Sequence, residues 1–203
     1  NDFGPDNAAG PVAEQVADPL PVEIAVDGMD PGGHVYIQYM PLRNWNATFH
    51  APNAGNLYYG LDETSPVVAA AIQYAYDYAI YAPAAADCGG ALPALLPVVV
   101  SLHGWGDNGY GPYTADPDPY GWCAYRIYPI DMNQTWWFGF ARTHDYRNDG
   151  IPGPGDTVVN YTEQRVLRMV YDLLRDPPGP AADANRVYIF GSSMGGSGAL
   201  AFA

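Results

Sequence analysis

Arg186-Val187-Tyr188-Ile189-Phe190 runs without a break into Gly191-Ser192-Ser193-Met194-Gly195-Gly196. Arg186 followed by the β-branched and aromatic Val187, Tyr188, Ile189 and Phe190 reads as a short strand. Small residues then continue to Ala203 and suit a helix packed closely on a sheet. At the junction, Gly191, Ser193 and Gly195 fit G-x-S-x-G, the nucleophile elbow. The glycines have a physical reason. The chain must turn sharply from strand to helix, with the serine backbone strained. Any side chain at 191 or 195 would collide across that turn. The turn lifts Ser193 Oγ above the sheet edge. It also sets the first helical N–H groups, at the positive end of the helix dipole, beside a reacting carbonyl. The alternative is an ordinary Gly/Ser turn at a strand–helix junction.

Working outward, residues 162–175 read as a helix. Val166, Met169, Val170, Leu173 and Leu174 fall at i, i+3, i+4, i+7 and i+8. Asn160 and Glu163 make a start resembling a capping box, and Asp176-Pro177-Pro178-Gly179 stops the helix. Residues 98–102, after Pro97, form a continuous apolar run, as in a strand buried on both faces. Residues 125–130 are a further candidate strand. Strand, helix, strand, helix at this spacing argues an α/β fold with a mostly parallel sheet.

The first half is less regular. Residues 1–20 lack periodicity and read as an extended arm. Residues 21–64 read as a β-hairpin and loop segment. Its strands carry Val22, Ile24 and Val26, then Val35, Ile37 and Tyr39, around the dense turn signal Asp27-Gly28-Met29-Asp30-Pro31-Gly32-Gly33. Residues 65–203 hold the α/β segment. Ser65-Pro66 is a good helix start. However, Tyr74, Tyr76, Tyr78 and Ile80 alternate with small or polar residues, so residues 72–81 are expected to be a strand.

Composition narrows the function classes. The chain has 203 residues, 48% hydrophobic and 15% charged, enough to bury one full core. With 8 basic residues, all Arg, against 22 acidic ones, its net charge is −14. That balance supplies no basic footprint for nucleic acid and disfavours anionic membrane surfaces. No apolar run approaches the roughly 18 residues of a membrane span. Asn46, Asn133 and Asn160 each open an N-x-[ST] sequon. Chance gives about 0.65 such motifs, so three hint at a secreted glycoprotein. In an oxidising compartment Cys88 and Cys123 would pair as a disulfide; the alternative is two buried free thiols.

A second chemistry-bearing segment is Leu102-His103-Gly104-Trp105-Gly106, directly after the apolar strand. A glycine-containing turn there can aim a backbone N–H at an oxyanion. Trp105 N–H and Met194 N–H are the expected pair of donors. His103 reads better as a scaffold histidine bonding loop backbone than as a catalytic one. His34, His50 and His144 read as surface or loop residues.

The stretch from about Tyr74 to Ala203 resembles the N-terminal half of an α/β-hydrolase. It is most similar to secreted esterases of the polyhydroxybutyrate depolymerase and feruloyl esterase type, and to related peptidases. The resemblance rests on Tyr78-Ala79-Ile80-Tyr81-Ala82-Pro83, on Leu96 through Gly104, on Tyr128-Pro129, on Asn185-Arg186-Val187-Tyr188, and on Gly191 through Gly196. It implies that Ser193 is the nucleophile and that Trp105 and Met194 supply the oxyanion hole. It implies an ester substrate, no cofactor and no metal. Two departures stand out. Residues 106–122 are rich in Gly, Pro, Asp and Tyr where the family has a helix, an enlarged loop in which Asp116 and Asp118 read as a solvated acidic pair rather than a Ca²⁺ site. In addition, the superfamily places its acid and histidine after the serine, whereas this chain ends at Ala203 with no histidine beyond His144.

The expected function is therefore a secreted serine esterase whose general base and acid lie outside these residues, in a second chain or in a continuation of this one. A prolyl-oligopeptidase-like peptidase shares the same elbow. A non-catalytic assembly protein on a hydrolase fold is the third reading. Trp136, Trp137, Phe138 and Phe140 would form either an aromatic substrate platform or an aromatic packing run. Residues 1–203 expressed alone are expected to show no ester turnover, because a serine hydroxyl without a base is a poor nucleophile. Turnover lost on Ser193→Ala would place the base within these residues.

Overall fold

The computed structural model describes residues 20–41, 73–107, 120–131, 135–141, 144–145, 148–149, 154, 158–159 and 161–202. The strands in chain order are β1 (Val22–Ile24), β2 (Gly33–Pro41), β3 (Gln73–Tyr81), β4 (Leu95–Leu102), β5 (Tyr125–Pro129), β6 (Phe140–Ala141), β7 (His144–Asp145), β8 (Asn148–Asp149), β9 (Val158–Val159) and β10 (Ala181–Gly191). Two helices, α1 (Tyr161–Arg175) and α2 (Met194–Phe202), flank β10 in sequence.

Six strands make one sheet in the order β1-β2-β3-β5-β4-β10. The sheet is mixed, which corrects the expectation of a mostly parallel one. β4 pairs in parallel with β5 and with β10, while β1–β2, β2–β3 and β3–β5 are antiparallel. The hairpin strands therefore belong to the same sheet as the parallel strands. β2 and β3 pair from Gly33 opposite Tyr81 to Pro41 opposite Gln73. The four short strands form a separate antiparallel ribbon in the order β8-β7-β6-β9.

Alternation along the strands sorts side chains between two faces. Tyr78 and Ile80 of β3, Leu96, Val98, Val100 and Leu102 of β4, and Tyr125 and Ile127 of β5 lie on one face. Val166, Met169, Val170 and Leu173 of α1 and Met194 and Phe202 of α2 cover them. The heptad-like spacing read in residues 162–175 is thus the stripe that meets the sheet. The opposite face holds a smaller cluster of Val35, Ala79, Tyr81 and Tyr128, with Met29 and Val26 against it. Val99 is 7% exposed, so the apolar run of β4 is buried on both faces as its sequence predicts.

Among the described residues β10 is one edge of the six-stranded sheet, opposite β1. It carries an irregularity between Ala182 and Val187. Asp183 holds that bulge: its carboxylate accepts from Asn185 N–H at 2.9 Å and from Arg186 Nε–H, while Arg186 Nη2–H reaches Leu95 O at 3.0 Å. The bulge is followed by regular pairing from Val187 to Gly191, which delivers the elbow to the end of β4. On this edge Val187, Tyr188 and Phe190 are 38%, 56% and 41% exposed.

Cys88 and Cys123 form a disulfide across 35 residues. It ties the 3₁₀ turn Ala85–Cys88, ahead of β4, to the entry of β5. Closing a loop of that length stabilises the fold by roughly 3–4 kcal/mol. Peptide mapping without reductant is expected to recover the linked pair, and reduction to lower the melting temperature by on the order of 10 °C. Two alkylatable thiols in the native protein would contradict the bond.

Candidate functional site

The last residue of β10 and the first turn of α2 pass over the C-terminal end of β4 at backbone contact. A Cβ built on Gly191 would stand 2.4 Å from the Gly195 carbonyl carbon and 2.7 Å from Leu102 O. One built on Gly195 would stand 2.1 Å from Leu102 O and 2.8 Å from His103 O. Every obstructing atom is backbone, so no rotamer change relieves the clash. Between these glycines Ser193 has φ 54°, a left-handed conformation costing roughly 1–2 kcal/mol for a residue with a Cβ. The turn is closed by Gly195 N–H to Ser192 O at 2.9 Å and Ser197 N–H to Ser193 O at 3.1 Å. Ser193 is exposed and Met194 is fully buried, so the serine side chain faces outward and the methionine anchors α2 in the core.

The 103–106 loop lies directly beside the elbow. A Cβ on Gly104 would make ordinary contact with Ser193 Cβ at 3.7 Å and Ser192 O at 3.5 Å. Trp105 follows and is 53% exposed. Met194, as the first residue of α2, has an N–H with no acceptor within the helix. The structure thus brings Ser193 and the segments carrying the two expected backbone donors to one place.

His103 is a scaffold residue. Its Nδ1 lies 2.8 Å from Gly104 O, and a carbonyl only accepts, so Nδ1 carries the proton. Its Nε2 accepts Asp131 N–H at 2.9 Å. Both ring nitrogens are occupied and neither is left for Ser193. His34 sits on β2, bonded to Glu23 at 2.7 Å. His144 is on β7, and His50 lies outside the described residues. No hydrogen bond joins a histidine to Ser193 among the described residues.

The aromatic run does not act as one surface. Trp136 and Trp137 are both left-handed, at φ 58° and 66°. This double turn sends their side chains to different environments. Trp137 is fully buried, edge-on to His103 at 4.8 Å between centroids, and its Nε1–H donates to His103 O at 3.1 Å. Trp136 is 47% exposed and approaches Trp105 at 6.2 Å. Phe138 is half-buried, and the Phe140 side chain lies outside the described set. Of the two readings of this run, packing describes Trp137, while Trp136 is exposed beside Trp105.

Asp131 and Thr135 were not singled out by sequence. The buried Asp131 carboxylate accepts through Oδ2 from Thr135 N–H at 2.7 Å, Thr135 Oγ1–H at 3.0 Å and Trp137 N–H at 3.3 Å. Burial pushes its carboxyl above the usual range, opposed by the Arg165 guanidinium and by those hydrogen bonds. The available signal was an acid just past a buried strand with a threonine four residues on, the pattern of a side chain closing its own turn.

Asn46, Asn133, Asn160, Asp116 and Asp118 lie outside the described residues. Among the described residues no cluster of three or more His, Cys, Asp or Glu is placed to hold a metal ion.

Gly195→Ala is expected to destabilise the protein by roughly 3 kcal/mol or more, because its Cβ meets immovable backbone. Gly104→Ala is expected to melt close to the parent. Thermal unfolding of both variants checks the contrast, and equal melting temperatures would contradict it. Compared with known proteins, the chain matches no family model and no curated protein.

Proposed function

We propose that this chain carries the nucleophile of a secreted serine hydrolase of the α/β-hydrolase type, acting on carboxylic esters. The observation that supports this most is the elbow. Ser193 is exposed in a strained left-handed turn, between two glycines whose Cβ positions are filled by backbone, at a strand-to-helix junction beside a glycine loop. Strain of this kind persists only where the surroundings enforce it, and it gathers at functional sites. The parallel register of β10 on β4 supports the fold reading, since it ends with Gly191 opposite Leu102, where the loop of residues 103–106 begins.

In the proposed mechanism Ser193 Oγ attacks the ester carbonyl carbon as a histidine takes its proton. The carbonyl oxygen becomes an oxyanion and accepts hydrogen bonds from Trp105 N–H and Met194 N–H, next to the positive end of α2. The intermediate collapses, the C–O bond to the alcohol breaks, and the histidine returns the proton to the departing oxygen. Water then attacks the acyl-serine by the reverse proton path. His103 is not that histidine, because its lone pair is committed to Asp131 N–H. Among the described residues no hydrogen bond joins a histidine to Ser193, and no base or acid is assigned.

The disulfide fits an oxidising, extracellular setting. Among the described residues no helix is long and apolar enough to cross a membrane.

In the complete protein, p-nitrophenyl ester turnover is expected to exceed peptide anilide turnover, and Ser193→Ala to lower kcat for esters by several orders of magnitude with the melting temperature unchanged. Preference for the anilide would make the protein a peptidase. Ester turnover that survives the substitution would remove Ser193 from the chemistry.

A further inference from the structure

The double left-handed turn at Trp136 and Trp137 contains no glycine; Phe138 N–H closes it onto Thr135 O at 3.3 Å, and the Asp131 carboxylate holds it from inside. Asp131 Oδ2 gathers Thr135 N–H, Thr135 Oγ1–H and Trp137 N–H onto one atom. Thr135 Oγ1, having given its proton to Asp131, accepts from Thr162 Oγ1–H at 2.7 Å, which pins the turn to the start of α1. Asp131 also donates its own backbone N–H to His103 Nε2 at 2.9 Å. Asp131 therefore reaches the loop beside Ser193 by two routes, directly through His103 and indirectly through Trp137.

Trp137 is the part that touches both halves of the site. Its indole N–H holds His103 O, at the root of the 103–106 loop. Its Cβ and ring also fill the space beside Gly198 of α2, where an added Cβ would stand 2.5 Å from Trp137 Cβ. A buried side chain in contact with the loop and with the helix braces one against the other, beside the backbone contacts of Leu102 O and His103 O with Gly195. Trp105 N–H lies on that loop, and Met194 N–H at the start of that helix. Oxyanion donors act only when preset where charge develops, so a small change in spacing reaches the transition state before it reaches substrate binding.

We propose that Asp131 is a positioning residue that, by locking Trp137 between the 103–106 loop and α2, sets the spacing of the two oxyanion-hole donors. This rests on the ester-hydrolase reading above. It requires no contact between Asp131 and substrate, and its carboxylate is already committed to Thr135 and Trp137.

The test uses the complete protein, with each rate normalised to the number of serines titrated by a fluorophosphonate. Asp131→Ala is expected to lower kcat about 10- to 100-fold with KM within about threefold of the parent. Binding of a trifluoromethyl ketone, which forms a tetrahedral oxyanion on the serine, should weaken in step with kcat. Asp131→Asn keeps one acceptor oxygen in place and should recover most of the loss. Trp137→Phe keeps the ring but drops the bond to His103 O. It should show a smaller loss of the same kind, and it serves if the alanine variant does not fold. A purely structural role would lower the melting temperature and the titratable fraction while leaving kcat per titrated serine unchanged. That result, or an asparagine variant no better than alanine, overturns the proposal. A parent protein whose serine is not titrated at all overturns the hydrolase reading itself and takes this proposal with it.

Discussion

Leu102 O lies where the Cβ of any residue other than glycine at position 195 would need to be, 2.1 Å away. From that contact much of the architecture follows. β10 must reach the end of β4 in parallel register, so Gly191 comes to rest opposite Leu102. The chain must then reverse over the strand end in two residues, which forces Ser193 into the left-handed region. The helix that starts there buries Met194 completely and lays small residues against the sheet. A serine raised on such a turn is exposed without being mobile, because its neighbours on both sides are fixed by backbone contacts rather than by side chains.

The second constraint is electrostatic. A carboxylate buried at Asp131 is costly unless its lone pairs are used. Here three donors converge on one oxygen, with Arg165 nearby. Hydrogen bonds to a charged acceptor contribute about 1.5–3 kcal/mol each. Burial still outweighs them and keeps the Asp131 carboxyl above its ordinary range, while the same bonds fix two left-handed tryptophans that cost roughly 1–2 kcal/mol apiece. The strain at the elbow and the strain at the tryptophan turn thus meet across His103. One is held by steric exclusion and the other by a buried charge. Both place rigid backbone around the same serine.

Much of this was legible in the sequence, for reasons that differ by element. The stripe Val166, Met169, Val170, Leu173 announces α1 because a helix period and an apolar face leave few other solutions. The tyrosine alternation in Gln73–Tyr81 announces β3 against the helix-favouring alanines before it, since the side-chain period outweighs intrinsic propensity. The elbow is legible because its glycines answer a steric demand that acts within five residues. Strand direction was not legible. β3 joins β5 antiparallel, and nothing in either strand's local pattern records the orientation of its neighbour. The tryptophan turn was hidden for the opposite reason. Its residues are among the least expected in left-handed geometry, and the carboxylate that makes it affordable acts through folded contacts. His103 and Asp131 are 28 residues apart and meet only once β4 and β5 are paired.

Whether this constrained serine is a nucleophile decides the function. The most direct measurement is covalent: exposure of the complete native protein to a fluorophosphonate, followed by peptide mapping of the adduct. One modified hydroxyl is expected, at Ser193, with Ser192 on the same peptide unmodified. An adduct at another residue, or none on a natively folded protein, would contradict it.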